Sequence, residues 1–165
     1  MINLENVIRA VVAVALLMVA PPVFAQEGKH ATARSLKRHA SVEKQHRLII
    51  QVNTNEPAMM NLALNNATNV TQYYKDLGEK VSVQIVTFGP GLHMLREDTS
   101  PVKARIETLA LSTPEISYKA CGNTQENMRK AENKEIPLIS QAKLVKSGVV
   151  TVMELQEQGW SYVKP

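Results

Sequence analysis

Hydrophobic positions along the chain form short apolar runs that alternate with longer segments of helical spacing. The first run of this kind, residues 46–53, has consecutive apolar side chains, which is typical of a parallel strand buried on both faces. After Pro57, apolar residues recur at intervals of three and four as far as Leu77, and Gly78 stands where a helix cap belongs. The pattern therefore predicts a strand followed by one long helix.

The same alternation continues to the end of the chain. Four more strands are expected, at residues 81–88, 116–120, 142–145 and 160–164. Between them the pattern predicts a helical turn and three helices, at residues 92–96, 100–113, 125–132 and 148–158. Ser147 is the expected cap of the last helix. Regular alternation of this kind predicts an α/β protein with a parallel sheet covered on both faces.

In such a sheet, the loops that follow the strands meet at one edge, and ligands gather there. Three loops should do so, at residues 53–56, 89–93 and 121–124. The sequence therefore predicts a shared pocket whose candidate residues are Asn53, Asn55, Gly89, Gly91, His93, Gly122, Asn123 and Thr124.

The first 25 residues have the layout of a secretory signal peptide, with an apolar run at residues 10–20, a Pro-Pro break and small residues before a cut. We expect cleavage after Ala25 and a periplasmic or secreted protein. The run is shorter than the ~20 apolar residues that span a bilayer, and no cysteine follows the cut to carry a lipid anchor. An uncleaved membrane anchor or a buried helix is the alternative.

Composition and charge limit the number of domains and the classes of function that the chain could have. The 165 residues suffice for one domain, and the net charge is +4. Residues 26–47 alone supply six basic and two acidic side chains, whereas residues 48–165 hold twelve of each sign. The charge therefore belongs to a basic tail, residues 26–46 with Arg47, and not to the domain, which argues against nucleic-acid binding. A solvated linker is expected, with contact to anionic lipids as the alternative.

Cys121 is the main candidate for chemistry. It is the only cysteine, so an internal disulfide and a multi-cysteine zinc site are excluded. It stands between a predicted strand and a helix, where backbone N–H groups and the helix dipole favour a thiolate. A small, inert, buried residue at a tight junction is the alternative.

Other motifs are weaker. The segment Gly89-Pro90-Gly91 is too short for a phosphate or dinucleotide loop, although it could present N–H groups to an anion. His93 is either an acid/base partner of Cys121 or a surface residue. No serine-hydrolase signature, metal-ligand cluster or cofactor fingerprint occurs in the domain, so we expect no metal and no cofactor.

Three segments together resemble the DsrE/DsrF-like family, in its small, single-domain, exported branch. They are VTFGPGLHML after the second strand, ISYKACGNT at the third, and VMELQEQGWSYVKP at the end. The resemblance covers residues 47–165. It implies a three-layer α/β/α fold with a mainly parallel five-stranded sheet, usually in homo-oligomers. It also implies sulfur relay as a cysteine persulfide, with Cys121 at the position of the acceptor cysteine.

Two functions follow as hypotheses. The first is an exported protein that carries sulfur on Cys121, taking it from a sulfane-sulfur donor and passing it to an acceptor thiol. The second is a non-catalytic, oligomeric scaffold or small-ligand-binding protein of the cell envelope. Whether the protein is an enzyme stays open, and no stable membrane insertion is expected.

Overall fold

The computed structural model describes residues 45–165. The proposed signal peptide and nearly all of the basic tail lie outside these residues. The described part contains five strands: β1 (Gln45–Val52), β2 (Lys80–Thr87), β3 (Ile116–Cys121), β4 (Ala142–Val145) and β5 (Ser161–Val163). Four α-helices connect them: α1 (Pro57–Asp76), α2 (Lys103–Ser112), α3 (Gly122–Glu132) and α4 (Gly148–Glu157). A 3-10 segment, Gly89–Leu95, follows β2.

The strands form one sheet in the order β4-β3-β2-β1-β5, and all four neighbouring pairs are parallel. From β1 to β4 each crossover moves the chain one strand in the same direction, so right-handed connections keep α1, α2 and α3 on one face. The crossover from β4 to β5 returns across the sheet, which puts α4 on the other face. The predicted three-layer α/β/α fold is confirmed.

The face under α1, α2 and α3, here called the core face, holds the larger hydrophobic cluster. Alternate residues of β1 and β2, such as Ile50 and Ile85, pack there against Leu64 of α1 and Ile106 of α2. The opposite face, here called the thin face, has a second cluster built from Ile49 and Val86 with two residues of α4. Both faces of β1 and β2 are therefore buried, as the continuous apolar run predicts.

Several predicted boundaries are wrong. The helix after β3 begins at Gly122 and not at Gln125, because Cys121 is itself the extended residue before the helix. The helix expected from Ser100 begins at Lys103, since the Ser100 hydroxyl instead donates to the carbonyl of Met94. The Gly-Pro-Gly segment starts the 3-10 turn and does not precede it. Ser147 occupies the cap position of α4 without a side-chain cap hydrogen bond.

Candidate functional site

Cys121 ends β3 and directly precedes α3. Its backbone is extended (φ −73°, ψ 115°), and Gly122 is already helical. The first N–H groups of an α-helix have no partner within the helix and point back past its start. The thiol therefore lies where these N–H groups converge, while only 4% of the residue is exposed.

The hydrogen bonds around Cys121 favour its thiolate. Burial raises the pKa of the thiol. Against this, the Thr124 hydroxyl and the backbone N–H groups of Gly148, Thr124 and Asn123 hydrogen-bond to the sulfur and lower it. The balance holds the pKa of Cys121 below its ordinary value. Since Gly148 is the first residue of α4, donors come from the N-termini of two helices.

The approach of α4 depends on glycine. A Cβ at Gly148 would lie 2.9 Å from the Phe88 ring and 3.2 Å from the Cys121 Cβ, closer than packed atoms normally come. Beside it, the Asn123 N–H donates to the carbonyl of Lys146 at 3.2 Å. The chain leaving β4 is thus fastened to the first turn of α3 before α4 begins. The sequence predicts that Gly148 begins a helix, but it does not predict the contact with Cys121. That contact depends on the pairing of β3 with β4, which sequence spacing does not reveal.

Thr124 connects the thiol with the glycine segment. The Gly89 N–H donates to the Thr124 Oγ1 at 2.9 Å, and Gly89 takes a positive φ of 53° that suits glycine. Gly91 lies against β1, where an added Cβ would stand 2.1 Å from the carbonyl oxygen of Val52. The loops after β1, β2 and β3 therefore meet at one edge of the sheet.

The predicted pocket residues divide among separate clefts. Asn55, Gly89, His93 and Thr124 line one open cleft of about 400 Å³, together with Asn127, Met128 and neighbouring residues. Cys121 does not line this cleft, but Thr124 does, and Thr124 also hydrogen-bonds to the Cys121 sulfur.

The other four predicted residues lie elsewhere. Asn53 lines a cleft of about 290 Å³ after β1, next to Glu56 and Lys164. Gly122 lines a third cleft on the far flank of α3. Gly91 is buried against β1, and the side chain of Asn123 is exposed. The structure thus brings the three loops together without uniting all their candidate residues in one pocket.

The hydrogen-bond partner of His93 is Thr99 and not Cys121. The His93 Nδ1 is 2.8 Å from the Thr99 hydroxyl. Burial, and next the positive charge of Arg96, lower the pKa of His93, which favours the neutral imidazole. His93 is therefore a neutral wall of the cleft that Thr124 also lines.

An ion cluster around Arg96 was not predicted from the sequence. The Arg96 side chain is 1% exposed and donates to both oxygens of Asp98, at 2.8 and 2.9 Å, and to Glu132 at 2.9 Å. Lys134 completes the cluster, 3.0 Å from Asp98. Because Glu132 ends α3, the cluster ties the segment after β2 to the helix that Cys121 precedes. The Arg-x-Asp spacing was the only signal, and it did not indicate burial.

No group of three or more His, Cys, Asp or Glu side chains in residues 45–165 could hold a metal ion. No helix in that range is both long enough and apolar enough to cross a bilayer.

Comparison with known proteins shows the fold alone. No family model matches the chain, and no curated protein matches it. Among solved structures, a protein of unknown function from Methanobacterium thermoautotrophicum is similar, with a TM-score of 0.61 and 23% sequence identity. The match covers 73% of this chain and 99% of that one. The likeness supports the α/β architecture and assigns no activity.

Proposed function

We propose that the protein carries sulfur as a persulfide on Cys121. The observation that supports this proposal best is the set of hydrogen-bond donors on the sulfur, one hydroxyl and three backbone N–H groups. Such donors favour a thiolate, and the thiolate is the nucleophilic form of cysteine. The same donors would stabilise the negative charge of a persulfide formed there.

The chemistry needs no external oxidant. The Cys121 thiolate attacks the outer sulfur of a sulfane-sulfur donor and forms a new S–S bond. The donor's own S–S bond breaks, and its electron pair leaves with the rest of the donor, as sulfite when the donor is thiosulfate. An acceptor thiolate then attacks the outer sulfur of the persulfide, and the Cys121 thiolate is the leaving group. Because the chain has one cysteine, the acceptor belongs to another molecule.

Membership of the DsrE/DsrF-like family and export from the cytosol are parts of the same proposal. The resemblance of the three quoted segments supports the first, and a five-stranded parallel sheet is compatible with it. The signal-like layout of residues 1–25 supports the second. N-terminal sequencing of protein recovered outside the cytosol tests export: we expect a start at Gln26, and a start at Met1 contradicts cleavage.

Intact mass spectrometry after incubation with polysulfide or thiosulfate tests sulfur loading. We expect the folded protein at neutral pH to gain about 32 Da, the mass of one sulfur atom. Cys121→Ser should gain nothing. Wild-type protein in denaturant should load more slowly, because the donors around the sulfur exist only in the fold.

Loading at equal rates in folded and unfolded protein would show that the site contributes nothing beyond an ordinary cysteine. No loading of the folded protein by either donor would overturn the proposal.

The second candidate function is an oligomeric scaffold or binding protein, and two observations favour it. Cys121 is only 4% exposed, and α4 exposes about half of each of Val149, Val150 and Met153 to solvent. On this reading the thiol reacts with a thiol reagent only when the protein unfolds, and sedimentation shows a concentration-dependent oligomer. Fast alkylation of the folded protein would contradict it.

A further inference from the structure

On the thin face, the charged side chains that the strands contribute are all basic. Strand alternation and register assign to this face the odd-numbered residues of β1, β3 and β4, the even-numbered residues of β2, and Tyr162 of β5. Arg47, Lys80, Lys119 and Lys143 are among them, and no Asp or Glu is. Such segregation is unexpected in a domain whose charges balance overall.

Two of these lysines stand directly opposite each other. Lys119 of β3 pairs with Lys143 of β4 in the parallel register. Among residues 45–165 neither has a salt bridge or a side-chain hydrogen bond, and like charges in directly opposed positions are unfavourable. Lys119 is partly buried, and burial followed by the charge of Lys143 lowers its pKa. A negatively charged group placed between the two lysines would relieve their repulsion, and the described residues supply no such group there.

The lysine pair lies close to Cys121. Lys119 precedes Cys121 by two residues on the same strand, so both side chains leave the same face of the sheet about 7 Å apart along it. A small ligand held by the ends of the two lysine side chains could therefore reach the sulfur.

We propose that Lys119 and Lys143 bind the oxyanion end of an anionic sulfane-sulfur donor of the thiosulfate class and hold its outer sulfur beside Cys121. This inference rests on the proposed function, because it names the donor of that site. The two ammonium groups match the two negative charges of thiosulfate. When the donor S–S bond breaks, its electron pair leaves with sulfite, whose two negative charges then lie beside the lysines, while one negative charge stays on the persulfide; the lysines therefore also stabilise the leaving group.

Binding is measured first, without chemistry, on Cys121→Ser by calorimetric titration with thiosulfate and separately with sulfate. We expect both anions to bind and to compete. The double substitution Lys119→Gln with Lys143→Gln should weaken binding at least about tenfold, as expected when charge-assisted hydrogen bonds are lost. The control Lys75→Gln, at the exposed end of α1 on the core face, should bind like the parent protein.

Equal binding by the double variant and the control would overturn the inference. Absence of binding by both anions would also overturn it. A change in self-association of the double variant would then indicate that the lysines contact acidic groups of a second chain.

Loading of wild-type Cys121 separates this inference from the proposed function. The double lysine variant should lose loading by thiosulfate and keep loading by a neutral organic trisulfide, which has no oxyanion end. Equal loss with both donors would show that the lysines act on the thiol and not on the donor. If anions bind at the lysines but no donor loads Cys121, the sulfur-carrying function fails while the anion site stands.

Discussion

The two faces of the sheet differ in cover and in content. Three helices and a 3-10 segment pack on the core face, where Leu64, Ile85 and Ile106 are fully buried. One helix of 10 residues lies on the thin face, where the buried cluster has only four members. The first face is an apolar interior, whereas the second combines a small apolar cluster with basic side chains and a buried thiol.

This difference indicates that one face mainly stabilises the fold and the other mainly holds the candidate site. Burial of apolar surface supplies most of the stability of a small domain, and here it comes mainly from the core face. The thin face keeps groups that burial alone would not select, an unneutralised lysine pair and a thiol surrounded by N–H donors. Such locally unfavourable arrangements are expected at functional sites. Predictions that treat the faces separately test this view.

The largest expected effect comes from truncating matched leucines on the two faces. Leu64→Ala on the core face, fully buried in α1, should lower the free energy of unfolding by about 3–4 kcal/mol. Leu155→Ala on the thin face, 8% exposed in α4, should cost about 2 kcal/mol, because solvent can enter the space it leaves. Urea denaturation measures both. Equal losses would contradict the unequal contribution of the faces.

Removing Arg96 should have a smaller effect. Arg96→Met keeps the buried stem of the side chain but leaves Asp98 and Glu132 without their main partner. We expect the free energy of unfolding at neutral pH to fall by about 2 kcal/mol. The loss is smaller than for a fully buried pair because both carboxylates are about one-third exposed. The control Arg129→Met breaks an exposed bridge to Glu126 and should change stability much less than Arg96→Met does.

The dependence of stability on pH provides a second test of the Arg96 cluster. Hydrogen bonds from Arg96 lower the pKa of Glu132 to about 2 and that of Asp98 further below its usual range. Carboxyls with a lowered folded-state pKa stabilise the fold above their unfolded values and lose this contribution as pH falls through the folded ones. Wild-type stability should therefore fall from about pH 4.5 to about pH 2, more steeply than that of Arg96→Met. Parallel acid titrations of the two proteins would contradict this.

Most of the fold was predictable from the sequence, for a physical reason. Runs such as residues 46–53 and the helical spacing after Pro57 are local, so the strands, helices and parallel sheet could be inferred before any contact was known. Boundaries failed where a distant partner decides them. Gly122 becomes helical at once because α3 is fastened to Lys146, which is far along the chain.

The site was predictable only in part. Cys121 and Thr124 were named from their position after β3, and the structure places them in contact. Gly148 and the lysine pair were missed, because they reach the site through the pairing of β3 with β4, a register that sequence spacing does not contain. Arg96 was missed because a buried, fully paired arginine has the same local pattern as an exposed one.

The smallest expected effect on stability, and the most direct on the thiol, comes from Thr124. Thr124→Val removes the hydroxyl that hydrogen-bonds the Cys121 sulfur and accepts from Gly89, and should cost about 1 kcal/mol of stability. The pKa of Cys121 should rise, so alkylation at neutral pH should slow several-fold while its pH midpoint moves upward. Thr124→Ser keeps the hydroxyl and should alkylate like wild type. The lowered pKa also makes stability depend on pH. Because the folded-state pKa of Cys121 is lowered, the stability of wild type relative to Cys121→Ser should increase as pH rises from the folded-state pKa to the unfolded-state pKa. If Thr124→Val and Thr124→Ser alkylate with the same pH profile, the hydroxyl does not stabilise the thiolate, and the N–H groups of the two helices carry that role alone.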